Sequence, residues 1–334
     1  MKNLAICAVA MAASVGASMA SAETVLTVSS WAGPNHNMNA VTFPRINDIL
    51  KECSGGDLSL KVEFGLAPPP AQYDTVRDGV ADMTWIVHGY TPGKFVTTKL
   101  AELPGIAGNA EQISTAYQMT YEKYLADAKE AKGVEVLSNF VHGPGLLNTL
   151  KELDDGYRSV DGMKLRVGGG VANMVGSALG VAGVNVPAPA VYETLASGVA
   201  DGVFFPAETM FAFKIAELAK YSYVNPDGMY TTSFAIILNS DTYDGLSDAN
   251  RKCVDDMRGV EMSRWIGKVW DEADTLGREK AVAENGLNVI QMDQGQRDYF
   301  KEKTAGIEAA VIEEVNGRGV DAAAALEYLK SQVQ

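Results

Sequence analysis

Histidine is rare in this sequence. This argues against the many enzymes that use histidine as a metal ligand or as a general acid or base. The 334 residues include only three histidines, and none is spaced like a zinc-binding His-Glu-x-x-His pair. A Gly-x-Ser-x-Gly nucleophile elbow is missing as well. We therefore expect no enzyme activity, no metal site and no cofactor.

Basic residues are also scarce. The chain has 28 lysines and arginines against 42 aspartates and glutamates, which gives a formal net charge of −14. Nucleic-acid binding needs clustered positive charge to neutralise phosphates, so nucleic acid is not an expected partner. A small anionic ligand stays possible, because a negative surface can contain one local positive pocket.

Long hydrophobic runs are missing except for one short segment at the N-terminus. Lys2 precedes the apolar residues 4–15, and small residues follow up to Ala22. This pattern predicts a secretory signal peptide over residues 1–22, and hence a periplasmic protein. The apolar segment is too short to span a bilayer, and no later stretch is long enough, so we expect a chain that is not embedded in the membrane.

Cysteine is nearly absent too. Removal of residues 1–22 would leave only Cys53 and Cys253. In an oxidising periplasm such a pair often forms a disulfide. Two separate buried thiols are an equally good interpretation of the sequence.

The apolar pattern alternates between period 2 and period 3.6 along the chain, which predicts an α/β fold with parallel strands and helices on both faces. Strands are expected at residues 25–29, 58–64, 81–87, 134–140, 163–167, 184–187, 203–205 and 229–238. Helices are expected at residues 38–50, 73–79, 173–179, 191–197, 208–220 and 247–284, and within 306–330. The strand at 229–238 is expected to return to the first sheet, and the long helical pattern at 247–284 to brace two lobes.

Arg166 ends a short predicted strand beside a glycine-rich turn, in Gly-Met-Lys-Leu-Arg-Val-Gly (162–168). An arginine there is costly to desolvate unless it meets an anion. Downstream, the sequence offers no acidic residue before Glu193. Two interpretations follow: Arg166 clamps a ligand carboxylate through paired N–H donors, or it pairs with an acid distant in sequence.

Two segments resemble the signature half of the extracytoplasmic solute receptors of TRAP transporters. They are Lys-Leu-Arg-Val (164–167) and Tyr-Glu-Thr-Leu-Ala-Ser-Gly-Val-Ala-Asp-Gly (192–202). The resemblance covers nearly all of the chain after residue 22. It implies that Arg166 grips the carboxylate of a small organic acid, and that the partners are this ligand and the TRAP membrane permease subunits.

The resemblance also implies a two-lobed periplasmic-binding-protein fold, in which each lobe is a mixed sheet flanked by helices and a long helix bridges the lobes. We expect residues 23–141 plus 235–268 to form lobe I, and residues 142–234 plus 269–334 to form lobe II. The lobes would close around the ligand by a hinge.

The chain departs from the family pattern in two places. Many members carry a polar run with an asparagine after Asp-Gly, whereas this chain reads Val-Phe-Phe-Pro (203–206). Many also have a second basic residue near the crossing strand, where this chain reads Gly-Pro-Gly-Leu-Leu-Asn-Thr (143–149). These departures argue against the usual polar partners of a dicarboxylate or a sugar acid and leave Asn148 as the nearest polar candidate on that strand.

Aromatic residues lie where polar groups would be expected, although core packing is an alternative for many of them. Alternation along the strand lets only one of Phe204 and Phe205 face the cleft, and His88 ends a strand at the edge where open sheets bind ligands. The candidate ligand-binding residues are Arg166, Trp31, Trp85, His88, Tyr90, Asn148, Phe205 and Tyr230.

These residues favour two ligand classes equally. One is an apolar or aromatic monocarboxylate, and the other is a betaine or sulfonium zwitterion held in a cation–π cage. A C4-dicarboxylate is the weaker expectation, and a receptor that feeds a sensor kinase is the alternative to a transport role.

Overall fold

The computed structural model describes residues 23–333, so the expected signal peptide at residues 1–22 lies outside the described residues. Strands and helices alternate along the chain. The strands are β1 (Thr24–Ser30), β2 (Leu58–Phe64), β3 (Met83–Val87), β4 (Val134–Val141), β5 (Leu146–Thr149), β6 (Lys164–Val167), β7 (Ala182–Asn185), β8 (Gly202–Phe205), β9 (Tyr221–Val224), β10 (Ser233–Asn239) and β11 (Asn288–Gln291).

The helices flank these strands. They are α1 (Phe43–Ser54), α2 (Gln72–Arg77), α3 (Ala110–Thr120), α4 (Gly170–Ala178), α5 (Val191–Ala196), α6 (Thr209–Ala212), α7 (Ser240–Gly245), α8 (Asp248–Met257), α9 (Val260–Asn285), α10 (Gln294–Thr304), α11 (Ile307–Asn316) and α12 (Ala322–Gln332). Within residues 23–333, no helix has the length and apolar character required to cross a membrane.

The first sheet has the strand order β2-β1-β3-β10-β4. β1 is parallel to β2 and β3, whereas β10 is antiparallel to both of its neighbours. The sheet is therefore mixed, and the expected return of the later strand to it is confirmed, although that strand begins at Ser233 rather than at residue 229. We call this sheet and the helices packed on it lobe I.

The second sheet has the strand order β11-β9-β5-β8-β6-β7. β6 is parallel to β7 and β8, and β5 is antiparallel to β8 and β9. We call this sheet and its helices lobe II. The two mixed sheets confirm the expected fold class, while the chain boundaries given above for the two lobes stay a prediction.

β6 shows how the sequence places its arginine. Leu165 and Val167 are buried in the core of lobe II together with Val171 and Val175 of α4. Successive side chains of a strand point to opposite faces, so Arg166 projects from the face of the sheet opposite to that core. It lies in register with Val184 of β7 and Val203 of β8.

α9 connects the two lobes. Its 26 residues pack on α3 and β4 and also on α6. This contact pattern confirms the expected bridging helix. The pattern at residues 247–284 is nevertheless two helices, because Gly259 has a φ of 99° and ends the helical path between α8 and α9.

The helix predicted over residues 208–220 is wrong. Only α6 is helical, and Lys214, with a φ of 58°, turns the chain into a short 3₁₀ turn at Ile215–Glu217. Most apolar residues of this segment still pack inward, which explains the helix-like pattern, although Phe211 is exposed. The turn positions the Phe213 ring 5.9 Å from Phe205, measured between ring centroids.

Cys53 and Cys253 form a disulfide, which resolves the alternatives that the sequence left open. The bond joins the last turn of α1 to α8. Both helices pack on each other beside the first sheet, so the link lies within lobe I.

Candidate ligand-binding site

A largely aromatic cavity lies where the two lobes meet. The room that it leaves for the centre of a water-sized sphere is about 40 Å³, so the cavity is narrow in this arrangement. Its lining residues come from both sheets and from α9. They are Trp31, His36, Trp85, Val87, Tyr90, His142, Arg166, Gly168, Ala188, Phe204, Phe205, Pro206, Glu208, Thr209, Phe213, Tyr230, Thr232, Phe234 and Trp270.

Arg166 is buried in this cavity, with 2% of its surface exposed. Its Nε donates to the Val186 carbonyl at 2.9 Å, and its Nη2 donates to the Tyr90 hydroxyl at 3.1 Å. A longer bond of 3.5 Å runs from Nη1 to the Phe204 carbonyl. The guanidinium carbon lies 4.4 Å from the centroid of the Phe205 ring.

No aspartate or glutamate among residues 23–333 forms an ion pair with Arg166. Its recorded acceptors are all uncharged. A buried cation with only neutral partners leaves its charge uncompensated, and this arrangement favours an anion. A carboxylate suits the site chemically, because its two oxygens match the planar N–H donors of a guanidinium.

Stacked indoles form one wall of the cavity. Trp31 lies on Trp85 with ring centroids 3.9 Å apart. The Trp31 N–H donates to the Trp85 carbonyl at 3.0 Å, and the Trp85 N–H donates to Ser30 Oγ at 3.2 Å. With both N–H groups engaged in the protein, this wall offers a ligand mainly apolar ring surface.

Next to Trp85, the cavity is lined by Trp270 of α9 and Phe234 of β10, which stack with centroids 5.1 Å apart. The His142 ring meets Tyr230 edge-on at 5.7 Å. Aromatic pairs at such distances hold each other in fixed orientations. The cavity is thus shaped by residues that pack on one another.

The two histidines of the cavity are uncharged. Burial lowers the pKa of His36 to about 3 and that of His142 to about 4. The His36 Nδ1 accepts a hydrogen bond from the Met38 N–H at 3.2 Å, so its proton is on Nε2. The His142 Nδ1 bonds to the Gly143 carbonyl and so carries the proton. Among the lining residues, Arg166 is therefore the one permanent cation.

Two acidic side chains lie at the α9 end. Glu208 lines the cavity, and its backbone N–H donates to Asp274 Oδ1 at 2.7 Å. Burial raises the pKa of Asp274 to about 7, and burial together with the neighbouring Asp274 raises the pKa of Glu208 well above its usual value. Neither side chain forms an ion pair within the described part of the chain. Residues 23–333 also contain no group of three or more His, Cys, Asp or Glu side chains placed to hold a metal ion.

Two glycines before β5 make room for this end of the site. A Cβ on Gly145 would overlap the Tyr230 ring, and a Cβ on Gly143 would overlap the Asp274 carboxylate. These glycines belong to the segment in which the sequence departs from the family pattern. Where many members have a second basic residue, this chain has backbone covered by an aromatic ring and an acid.

The lobes are in contact across the mouth of the cavity. The Tyr90 hydroxyl, which follows β3 of lobe I, accepts hydrogen bonds from Arg166 and from the Ala188 N–H at 2.9 Å, both in lobe II. Gly89 and Gly169 approach so closely that a Cβ on Gly169 would overlap the Gly89 carbonyl. The described arrangement is therefore closed.

Six of the eight candidate residues are brought together in this cavity. They are Arg166, Trp31, Trp85, Tyr90, Phe205 and Tyr230. Phe204 also borders it, but its ring belongs to the core of lobe II together with Val167. Phe205 contributes the ring beneath the guanidinium, and Phe204 contributes a carbonyl that accepts from it.

The structure does not bring His88 and Asn148 into the cavity. The His88 Nδ1 lies 3.1 Å from Ser233 Oγ, and its ring packs on Phe95 beside a neighbouring groove. The Asn148 amide donates to the Phe205 carbonyl at 3.1 Å, so this side chain ties β5 to β8.

Sequence reasoning missed the residues that α9 and the turn after β8 contribute. They include Trp270, Glu208 and Phe213. The periodicity of α9 shows that Trp270 is on a buried face, but the same pattern is produced by core packing and by a cavity wall. Glu208 could have been predicted from its position, since it lies four residues after Phe204 of β8, at the edge of the sheet where ligands bind.

Comparison with known proteins identifies a family. Residues 28–314 match the family model described as bacterial extracellular solute-binding protein, family 7. This match covers most of both lobes and includes the residues that surround Arg166.

Solved structures agree with this match. A TRAP periplasmic solute-binding protein from Bordetella bronchiseptica, with bound mandelate, is 34% identical, with 93% of this chain and 98% of that chain covered and a TM-score of 0.89. A marine metagenome TRAP solute-binding protein specific for aromatic acids, in complex with 3-hydroxybenzoate, is 31% identical, covers 94% and 98%, and has a TM-score of 0.88. One from Rhodoferax ferrireducens, with copurified benzoate, is 29% identical, covers 93% and 97%, and has a TM-score of 0.87.

Proposed function

The chain belongs to family 7 of the bacterial extracellular solute-binding proteins, and on this premise we propose that it is a TRAP receptor for an aromatic monocarboxylate. Receptors of this kind bind small organic acids and work with membrane permeases. We place this one in the periplasm, after removal of residues 1–22, with delivery to a TRAP permease as its role.

The observation that carries the proposal is the buried guanidinium of Arg166 without an acidic partner. A carboxylate bound there would neutralise the charge and accept the N–H donors that the protein leaves unused. Closure of the lobes excludes water, which strengthens this attraction. Binding and closure are thereby linked, since the anion is bound most strongly in the closed state.

The ring-lined wall supports an aromatic body for the ligand. Tyr90 and Phe205 contact the guanidinium, and the Trp31 ring lies edge-on to Tyr90 at 6.4 Å. A flat ligand ring gains from stacked or edge-on contacts with such neighbours. The solved relatives with mandelate, benzoate and 3-hydroxybenzoate support the same ligand class.

A dicarboxylate fits less well, because the cavity has one permanent cation and neutral histidines. A betaine or sulfonium zwitterion also ranks lower. Trp31 and Trp85 cover each other at 3.9 Å, so each has one ring face unavailable to a cation.

Titration calorimetry tests the proposal with benzoate, phenylacetate and mandelate set against succinate and glycine betaine. We expect binding of one or more aromatic acids at least roughly 100-fold tighter than binding of succinate or betaine, a difference of about 2.7 kcal/mol. Mass spectrometry of the purified protein, before and after denaturation, would identify any acid carried through purification. Tight binding of succinate or betaine without aromatic acid binding would refute the proposal.

A further inference from the structure

Two polar atoms in the cavity have no hydrogen-bond partner among residues 23–333. They are Oε2 of Glu208 and Nε1 of Trp270, and both are shielded from solvent. The two residues are 4% and 1% exposed. A buried donor or acceptor without a partner is costly, so two of them lining one cavity indicate a ligand group that satisfies them.

The local structure holds this pair in place. Trp270, Asp274 and Gly277 lie on one face of α9, at spacings of four and three residues. Asp274 accepts the Glu208 N–H, and the missing side chain of Gly277 lets the backbone at Glu208 pack directly on the helix. Glu208 is therefore fixed beside the helix face that carries Trp270.

A series of aromatic rings in mutual contact runs from the arginine to this pair. From the guanidinium, successive neighbours are Phe205 at 4.4 Å, Phe213 at 5.9 Å, His36 at 5.5 Å and Trp270 at 5.5 Å. No ion pair joins Glu208 to Arg166 in the described residues. The cavity thus holds a cation and, without an ion pair to it, a pair of polar groups among aromatic rings.

We propose that Glu208 and Trp270 form a second polar subsite that binds a hydroxyl group on the ligand, so that the ligand is a hydroxylated aromatic acid. A hydroxyl can accept the indole N–H and donate to, or accept from, the glutamic acid. An ammonium has no acceptor for the indole N–H, so it would leave Trp270 unpaired. This inference rests on the proposed function, because it assumes that the ligand carboxylate lies at Arg166.

The protonation of Glu208 agrees with a neutral ligand group. Burial and the adjacent Asp274 favour the uncharged carboxylic acid, whose pKa lies well above the usual value. A neutral acid offers both a donor and an acceptor, as a hydroxyl does. Binding of a hydroxyl would then require no change in protonation.

The first experiment compares probes on the unmodified protein by calorimetry. The probes are benzoate and phenylacetate, their ring-hydroxylated isomers, the corresponding chlorinated isomers as size controls, and 3-(aminomethyl)benzoate as an ammonium probe. We expect at least one hydroxylated isomer to bind roughly tenfold or more tighter than both its parent and its chlorinated analogue. The ammonium probe should bind no better than the parent acid.

The second experiment uses Glu208→Leu, which removes the polar group, and Glu208→Gln, which keeps a donor and an acceptor. Trp270→Phe removes only the indole N–H and retains a ring. Glu208→Leu and Trp270→Phe should reduce the preference for the hydroxyl by about tenfold or more, whereas Glu208→Gln should retain most of it. Tyr117→Phe is the matched control, because it also removes one polar atom from a buried aromatic side chain, and Tyr117 lies outside the cavity.

The outcomes separate the two proposals. If aromatic acids bind but the hydroxyl preference is missing, or persists unchanged in Glu208→Leu, the subsite is refuted and the receptor function stands. Tighter binding of the ammonium probe, with proton release measured in buffers of different ionisation enthalpy, would also refute it. If no aromatic acid binds to the unmodified protein, the proposed function fails and the subsite fails with it.

Discussion

Arg166 is positioned by the protein itself. Two backbone carbonyls and the Tyr90 hydroxyl accept three of its hydrogen bonds, and a guanidinium has five N–H donors. The remaining donors can meet a carboxylate without reorganisation of the side chain. Such preorganisation reduces the ordering cost of binding.

Arg166→Ala should weaken binding of the best aromatic acid by roughly 30-fold to several thousand-fold. The reason is that the bound carboxylate would be left without its partner, which costs about 2–5 kcal/mol of binding free energy. Arg166→Lys should also lose affinity substantially, since an ammonium cannot reproduce the planar pair of donors. Calorimetry gives the affinities, and circular dichroism checks that both variants are folded. Near-normal affinity in Arg166→Ala would contradict the assigned role.

Asp274 should make stability depend on pH. Its pKa rises from an ordinary 3.8 to about 7 on folding, so the native state keeps a proton that the unfolded chain releases. The carboxyl therefore destabilises the fold increasingly as pH rises from about 4 to about 7, by up to roughly 4 kcal/mol. Asp274→Asn should gain stability relative to the unmodified protein over this range and level off above it.

Denaturant unfolding at pH 4.5, 6 and 8 measures this effect. Asp154→Asn is the control, because it makes the same change at an exposed aspartate outside the cavity. The stability difference between Asp274→Asn and the unmodified protein should therefore change over this pH range. A constant difference would show that burial of Asp274 does not make stability depend on pH.

At the scale of the element, the segment before β5 needs glycine because the side chain that covers it leaves no room for a Cβ atom. Gly145→Ala would place a methyl group into the Tyr230 ring, so we expect destabilisation of about 1–3 kcal/mol from overpacking and a weaker ligand affinity. Gly306→Ala is a suitable control, since a Cβ there has nothing within 4 Å. Thermal unfolding and calorimetry measure the two effects, and equal behaviour of the two variants would contradict this account.

The elements that the sequence predicted well are those whose pattern is decided locally. β1 and β2 alternate strongly and were found nearly to the residue. The helix predicted at 208–220 is wrong because the backbone at Lys214 is left-handed, with a φ of 58°, and a helix does not continue through such a residue. α3 was missed although Asn109 and Gln112 form a capping box at its start, which is a signal the sequence does contain.

The site residues also fall into two groups: those that the local sequence predicts and those that depend on the fold. Arg166 was predictable because a charged residue in a buried strand is conspicuous, and the rings near strand ends followed from the position of that edge. Trp270 and Glu208 depend on how α9 crosses the lobes. That crossing is a long-range property, and the local sequence does not encode which lobe faces a given helix surface.

At the scale of the whole molecule, Tyr90 connects the lobes through one hydroxyl that accepts from both Arg166 and Ala188. Tyr90→Phe should leave both donors unpaired in the closed state and shift the unliganded protein toward an open one. We expect a larger radius of gyration by small-angle X-ray scattering and about tenfold weaker binding.

The matched control for this variant is Tyr192→Phe, because the Tyr192 hydroxyl bonds to Glu217 within lobe II and spans no cleft. It should leave both the scattering profile and the affinity unchanged. An unaltered profile and affinity in Tyr90→Phe would show that the hydroxyl does not hold the lobes together.

The position of β10 has a consequence for biogenesis. β10 lies between β3 and β4, yet it is synthesised after most of lobe II, at Ser233–Asn239. At a synthesis rate of about 5–20 residues per second, the edges of β3 and β4 that pair with β10 stay unpaired for several seconds after they are made. Unpaired strand edges can pair with other chains, so the first sheet is open to such pairing until its late central strand is inserted.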